Sequence, residues 1–177
     1  MPPKSISDPF LPLFPFTPFM YLIRKAKPDD LPEISKLNLE LFKIQHEFDP
    51  TANLEWTFSP DGQEYFKTRI STEDSFTEVV EDESGKLIGY IFGTIFKRQP
   101  WRIEGKYAEL ESIYIKPEYQ GEKLGSQLTN NFINWCRENK VNYVSVIPSA
   151  QNESAIKFYR KLGFSDYDLV MHLDLGK

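Results

Sequence analysis

A single mixed α/β domain, its central sheet flanked by helices, is what this sequence predicts, and three observations lead there. Strand-like segments come first in an antiparallel-looking run and then alternate with helical ones. The 177 residues suit one domain, and 40% hydrophobic side chains are enough for a buried core. No repeat or low-complexity tract interrupts the pattern after the first twenty residues.

The elements follow in order. Tyr21 to Ala26 is short and partly β-branched, and reads as a first strand. Lys27-Pro28-Asp29-Asp30 supplies a turn and a helix N-cap. Leu31, Ile34, Leu37, Leu41 and Ile44 recur at three- and four-residue steps, which predicts a helix to about His46. Residues 47–60 read as a loop or broken helix, and Asp61 to Ser71 as a second helix. Phe76 to Asp82 and Lys86 to Phe96 form two strands around a turn at Glu83-Ser84-Gly85. Lys97 to Lys106, with Pro100 and Gly105, is a connection, and Tyr107 to Ile115 is a strand ended by Lys116-Pro117. Leu124, Leu128, Phe132 and Trp135 mark one face of a helix reaching about Asn139. Val141 to Ile147 reads as a buried strand, Asn152 to Leu162 as a short helix closed by Gly163, and Asp168 to Leu175 as a last strand.

Composition removes several function classes. A net charge of -5 without a basic block argues against nucleic acid as a partner. Cys136 is the only cysteine, so neither an intramolecular disulfide nor a cysteine metal cluster is expected, and its amphipathic surroundings suggest a buried thiol. His46 and His172 are too few and too scattered to suggest a metal. Residues 1–20 form a Phe/Pro-rich extension ahead of a domain spanning residues 21–177. Its prolines break any helix long enough for a signal peptide or membrane span, so no membrane partner and a cytoplasmic location are expected. Phe10, Phe14, Phe16 and Phe19 would be awkward in water. The extension is therefore expected to pack on its own domain or on a second subunit, which leaves a homodimer open.

The chemistry-bearing stretch begins at the junction of a strand and a helix, Tyr114-Ile-Lys-Pro-Glu-Tyr-Gln120-Gly-Glu-Lys-Leu-Gly125-Ser126. Gly121 is free to adopt positive φ, and Gly125 allows close backbone approach. Free N–H groups of the loop and the helix N-terminus would favour an anion such as a pyrophosphate, although two glycines in a loop are also ordinary turn chemistry. A second stretch follows, Asn152-Glu-Ser-Ala155-Ile-Lys-Phe158-Tyr159-Arg-Lys-Leu-Gly163-Phe164. Together the two resemble the GNAT N-acetyltransferase superfamily, with its Gln/Arg-x-x-Gly-x-Gly/Ala motif and its Asn-x-x-Ala-x-x-Phe-Tyr-x-x-x-Gly-Phe motif. The second is matched in full. In the first, Lys123 stands where the family has its middle glycine, and its backbone N–H is expected to serve without a positive φ.

The resemblance implies a GNAT-like domain whose strand 107–115 splays from strand 141–147, leaving a gap for the pantetheine arm of acetyl-CoA. Ile113, Tyr114 and Ile115 would line that arm. Gln120, Gly121, Glu122, Lys123, Leu124, Gly125 and Ser126 would hold the pyrophosphate, and Asn152 would touch the arm or simply cap its helix. Tyr159 resembles the family's general acid, since a phenol of pKa about 10 stays protonated at neutral pH; the alternative is a core tyrosine. Glu111, and after it Glu109, are candidates for the base that deprotonates an ammonium acceptor, against the plainer reading of an ion pair. At i and i+2 on a strand they share a face unless a bulge intervenes. The acceptor region would involve residues 45–58, 99–106 and 165–168, near His46, Glu47, Asp49, Glu55, Trp56 and Trp101, with no binding residue assigned. The implied reaction is direct acetyl transfer from acetyl-CoA to a primary amine in a ternary complex, without a metal or a covalent enzyme intermediate. The alternative is a non-catalytic acyl-CoA-binding or sensing module of the same fold.

Overall fold

The computed structural model describes residues 21–96, 101 and 103–176. A five-stranded sheet runs in the order β1 (Leu22–Lys25), β2 (Ser75–Glu81), β3 (Leu87–Phe96), β4 (Tyr107–Ile115) and β5 (Tyr143–Val146). The first four strands are antiparallel, and β5 joins β4 in parallel. Helices α1 (Leu31–His46) and α2 (Pro60–Ser71) cover one face; α3 (Leu124–Glu138) and α4 (Glu153–Lys161) cover the other. These bounds agree with the expected ones to within two residues, because period-two and period-3.6 patterns are strong in this chain.

Two hydrophobic clusters hold the layers together. Ile34 and Leu37 of α1 and Phe66 of α2 pack on Val79, Tyr90 and Phe92. On the opposite face Leu124, Leu128 and Phe132 of α3 pack on Ile88, Ile91 and Leu110. Gly93 belongs to the second contact: a Cβ there would lie 2.2 Å from the Phe132 ring, so the bare backbone lets the ring sit on the sheet.

Three expectations are corrected. Residues 168–175 form no strand; they run irregularly, with Leu169, Met171, Leu173 and Leu175 exposed. β5 is not buried. It ends the sheet, and Tyr143 and Ser145 are exposed on one of its faces. The Asp30 side chain does not cap α1, since its oxygens accept from Arg24 and from the Lys27 N–H. The expected packing of the 1–20 extension concerns residues outside those described.

One irregularity decides where the site lies. In the β3–β4 ladder Phe92 faces Ser112 and Gly93 faces Leu110, so Glu111 is an extra residue in a bulge. Ala108 and Leu110 point to the α3/α4 face before it, and Tyr114 points to the α1/α2 face after it. Glu109, Glu111, Ser112 and Tyr114 therefore share the α1/α2 side, although their numbers break strict alternation.

Candidate active site

The parallel ladder between β4 and β5 runs from Tyr107 opposite Tyr143 to Leu110 opposite Val146, and there it stops. Past that rung β4 continues to Ile115, paired with β3 alone. The freed edge of β4 borders a groove of about 460 Å³. Ile113, Tyr114, Ile115 and Asn152, expected around a pantetheine arm, and Gln120, expected at the pyrophosphate, line it together with Leu41 and Ile44 of α1 and Phe48 just beyond its end. Asn152 also caps α4, its Oδ1 accepting from the Ala155 N–H at 3.0 Å, which realises the cap reading at a residue that borders the groove. The Tyr114 hydroxyl donates to Glu40 at 3.0 Å, fastening α1 to the end of β4.

The loop between groove and α3 is shaped by backbone conformation. Gln120 donates its amide to the Ile115 carbonyl at 2.9 Å, and Gly121 turns the chain at φ 94°. Lys123, immediately before α3, sits at φ 61° and ψ 8°. The position does take a left-handed conformation, contrary to expectation, and lysine adopts it at a cost of roughly 1–2 kcal/mol. Glu122 and Lys123 are exposed, while the Leu124 side chain is buried in the core, so only its backbone is available to a ligand. A Cβ on Gly125 would meet nothing closer than the Phe158 ring at 3.6 Å, an ordinary contact. Packing within the protein therefore does not demand glycine there, whereas a ligand lying on that backbone would. With Ser126 half-buried beside it, the start of this 15-residue helix offers unpaired N–H groups and a positive dipole end to an anion.

A second cavity of about 130 Å³ lies on the α1/α2 side, lined by Asn38, Phe42, Gln45, Trp56, Tyr65, Glu111 and Ser112. Asn38, Phe42 and Gln45 are one stripe of α1; Leu41 and Ile44, at the groove, are the next, continued by Phe48 in the turn after the helix. The two spaces adjoin along β4, where Ser112 borders one and Ile113 the other. Phe42 stacks on Trp56 at 5.8 Å and Tyr65 meets Trp56 edge-on, giving an aromatic wall. Below them Asn38 donates to the Tyr90 hydroxyl, which pairs with Ser112, while Thr57 donates to Asn38. This buried network fixes α1 on the sheet beneath the cavity. Of the acceptor-region residues, Gln45 and Trp56 line the cavity. His46, Glu47, Asp49 and Glu55 do not, and Trp101 is exposed.

The carboxylates differ sharply. Glu111 accepts from Arg69 Nε at 2.5 Å and Nη2 at 2.6 Å, and from the Tyr65 hydroxyl at 3.0 Å. The Arg69 guanidinium lies 4.5 Å from the centre of the Tyr65 ring. The ion-pair reading of Glu111 is thus realised, with partners on α2 that the sequence analysis did not identify. Glu109 has no hydrogen bond or salt bridge among the described residues. Its pKa is raised, first by burial and then by the Glu111 charge, with Arg69 opposing. Tyr159 is buried in the α3/α4 cluster that contains Leu110, and burial pushes its pKa to about 12. The Cys136 thiol is buried in the same cluster, and burial pushes it up to about 12 as well. Among the described residues no three His, Cys, Asp or Glu side chains gather around a common metal position. No described helix is long and apolar enough to cross a membrane.

Residues 39–164 match the family model described as the acetyltransferase (GNAT) family. The chain belongs to that family. An uncharacterized N-acetyltransferase of Methanocaldococcus jannaschii is 28% identical over 159 residues, 85% of this chain; the chain spans 63% of that protein's length. The catalytic subunit of the N-terminal acetyltransferase B complex of Arabidopsis thaliana is 24% identical over 89% of this chain and 80% of its own. A Bacillus halodurans protein of known structure, BH1408, superposes with a TM-score of 0.72 at 20% identity, over 87% of this chain and 99% of its own. The aminoglycoside N-acetyltransferase AAC(6')-Iy, solved with CoA, superposes with a TM-score of 0.67 at 14% identity, over 90% and 97%. In this GNAT domain the end of β4, the loop after it, the start of α4 and the C-terminal part of α1 border one groove.

Proposed function

We propose that this GNAT chain transfers an acetyl group from acetyl-CoA to a primary amine by direct attack, both substrates being held together. The observation that carries the reading is that two consecutive residues of β4 line two spaces, Ser112 a small cavity with room for an amine and Ile113 a larger groove with room for a coenzyme arm.

The residues fit the coenzyme. Residues 120–126 and the start of α3 would hold its pyrophosphate, and the free edge of β4 from Ile113 to Ile115 would bond its arm. When bound, it supplies a thioester acetyl group. The cavity is far smaller than a pocket for a drug-sized molecule, about 300–1,000 Å³. It therefore suits the end of a slender aminoalkyl chain, the amine against Glu111 and its methylenes against Phe42 and Trp56.

Glu111 positions the amine, because a carboxylate already holding Arg69 and Tyr65 gives up those bonds if it takes a proton. Glu109, on the same face and raised in pKa, receives the ammonium proton through water. A base titrating closer to neutral is also better matched to its task. As the C–N bond forms and the C–S bond breaks, the nitrogen's second proton leaves to water, while Tyr159 gives its proton to the departing thiolate and regains one from solvent. The plain test is thiol release with acetyl-CoA across linear, branched and cyclic amines. Linear amines should turn over fastest. Tight coenzyme binding without turnover on any amine would instead favour the sensing module.

A further inference from the structure

The hydrogen bonds beneath the smaller cavity run in one direction. Thr57 is fully buried, and among the described residues its hydroxyl has one partner, Asn38 Oδ1 at 3.0 Å. A buried hydroxyl beside one amide gives its hydrogen to the amide oxygen, since the opposite arrangement would leave that hydrogen unpaired. The Asn38 nitrogen is thereby turned toward Tyr90, whose hydroxyl oxygen accepts from it at 2.8 Å. Tyr90 is fully buried as well, so its own hydrogen goes to Ser112 Oγ, 2.7 Å away. Ser112 therefore accepts from below and keeps its own hydrogen, which meets no acceptor among the described residues. Ser112 is half-buried and lines the cavity, so that hydrogen is offered to whatever enters.

Glu111 offers the opposite. A carboxylate has about four lone-pair positions. Oε2 accepts from Tyr65 and from Arg69 Nε, and Oε1 from Arg69 Nη2, which leaves one position open on Oε1. The bulge sets these two consecutive residues on one side of β4, with Cα atoms about 3.8 Å apart. The cavity wall thus holds a place for one N–H and, beside it, a donor for one oxygen. A small ligand meets both when its nitrogen and its oxygen sit on neighbouring carbons.

We propose that Ser112 gives its hydroxyl hydrogen to an oxygen of the acceptor, which is a primary amine carrying an uncharged oxygen on the adjacent carbon. Tyr90 is a positioning residue: it does not line the cavity, and it fixes which way the Ser112 hydroxyl points. Naming the ligand an acceptor rests on the acetyltransferase reading, whereas the direction of the hydrogen bonds does not.

2-Methoxyethylamine and butylamine match in length and differ at one atom, an ether oxygen that accepts hydrogen bonds and cannot donate them. Their dissociation constants from the full chain, read by nuclear magnetic resonance titration, give a preference for the ether. That preference should be roughly five- to tenfold greater in the wild type than in Ser112→Ala, the size of one hydrogen bond. Comparing the two proteins cancels the amines' own differences in basicity and hydration. Tyr90→Phe, which lets the Ser112 hydroxyl turn, should lose part of the same preference although it takes no atom from the cavity lining. Ser112→Ala strands the Tyr90 hydrogen; Ser112→Ala combined with Tyr90→Phe removes both partners and carries the test if the single variant does not fold. A preference equal in wild type and variants overturns the proposal. Thiol release from acetyl-CoA with the same two amines separates it from the reading it rests on. The expected preference in binding without any thiol release supports the role of Ser112 and sinks acetyl transfer; thiol release without the preference sinks this proposal alone.

Discussion

Arg69 holds both oxygens of Glu111, so the carboxylate bordering the smaller cavity is already paired with a cation 42 residues away in the chain. Glu111→Gln would remove the like charge that raises Glu109 and would free Arg69 to act on it. Both changes lower the Glu109 pKa. The acid limb of kcat/KM against pH should therefore move to lower pH. Stability should fall by roughly 1–3 kcal/mol as the partly buried guanidinium loses its partner. An unmoved acid limb would mean that Glu109 is not the titrating group.

Glu109→Gln should act oppositely on stability. A carboxyl whose folded pKa is raised binds its proton more tightly in the folded state. Its contribution to stability falls as pH climbs from the unfolded value, about 4.3, through the folded one. At neutral pH the uncharged isostere should melt higher than the wild type and turn over more slowly. Thermal melts at pH 4 and pH 7 check this (pH values chosen at roughly the unfolded carboxyl range and neutrality). The advantage of the variant should appear only at the higher pH.

Tyr159→Phe separates acid from core residue. The hydroxyl makes no hydrogen bond among the described residues, so its loss should leave the melting temperature nearly unchanged. Loss of a general acid should lower kcat by about 10²-fold or more, with little change in acetyl-CoA binding. Steady-state kinetics beside a calorimetric Kd would show the split; unchanged kcat would make Tyr159 a packing residue only.

Lys123→Gly tests the loop. Relief of the left-handed conformation favours the variant by about 1–2 kcal/mol, and the greater freedom of glycine in the unfolded chain returns roughly 0.5–1 of that. A small rise in stability should result. Coenzyme binding should weaken nonetheless, because a cation beside the proposed pyrophosphate site is lost. The difference in Kd should shrink at high salt, where exposed charges are screened.

Element bounds were legible because they depend on neighbours within a few residues. Tyr107 to Ile115 appears as expected, and the Asn152 to Phe164 motif lies where the chain turns beside the groove. What escaped was long-range. Tyr65 and Arg69 carry no local mark of their bond to Glu111, and the bulge that sets Glu111 and Ser112 on one side shows only in the ladder. Asn38, Phe42 and Gln45 did carry a signal, since they stand at i, i+4 and i+7 beside the apolar stripe. The stripe itself divides in two: Ile34 and Leu37 are core, while Leu41 and Ile44 border the groove. Residues 168–175 show the converse case, a strand-like pattern that joins no ladder among the described residues.

The bulge at Glu111 is a spare place in β4. Replacing the residue there alters one side chain. Deleting it would restore simple alternation with Ala108 and Leu110 still in the α3/α4 core and Ser112 and Tyr114 still on the α1/α2 side. The extra residue is therefore what sets a second carboxylate beside Glu109 without disturbing either core, and β4 can lose that carboxylate by shortening as well as by substitution.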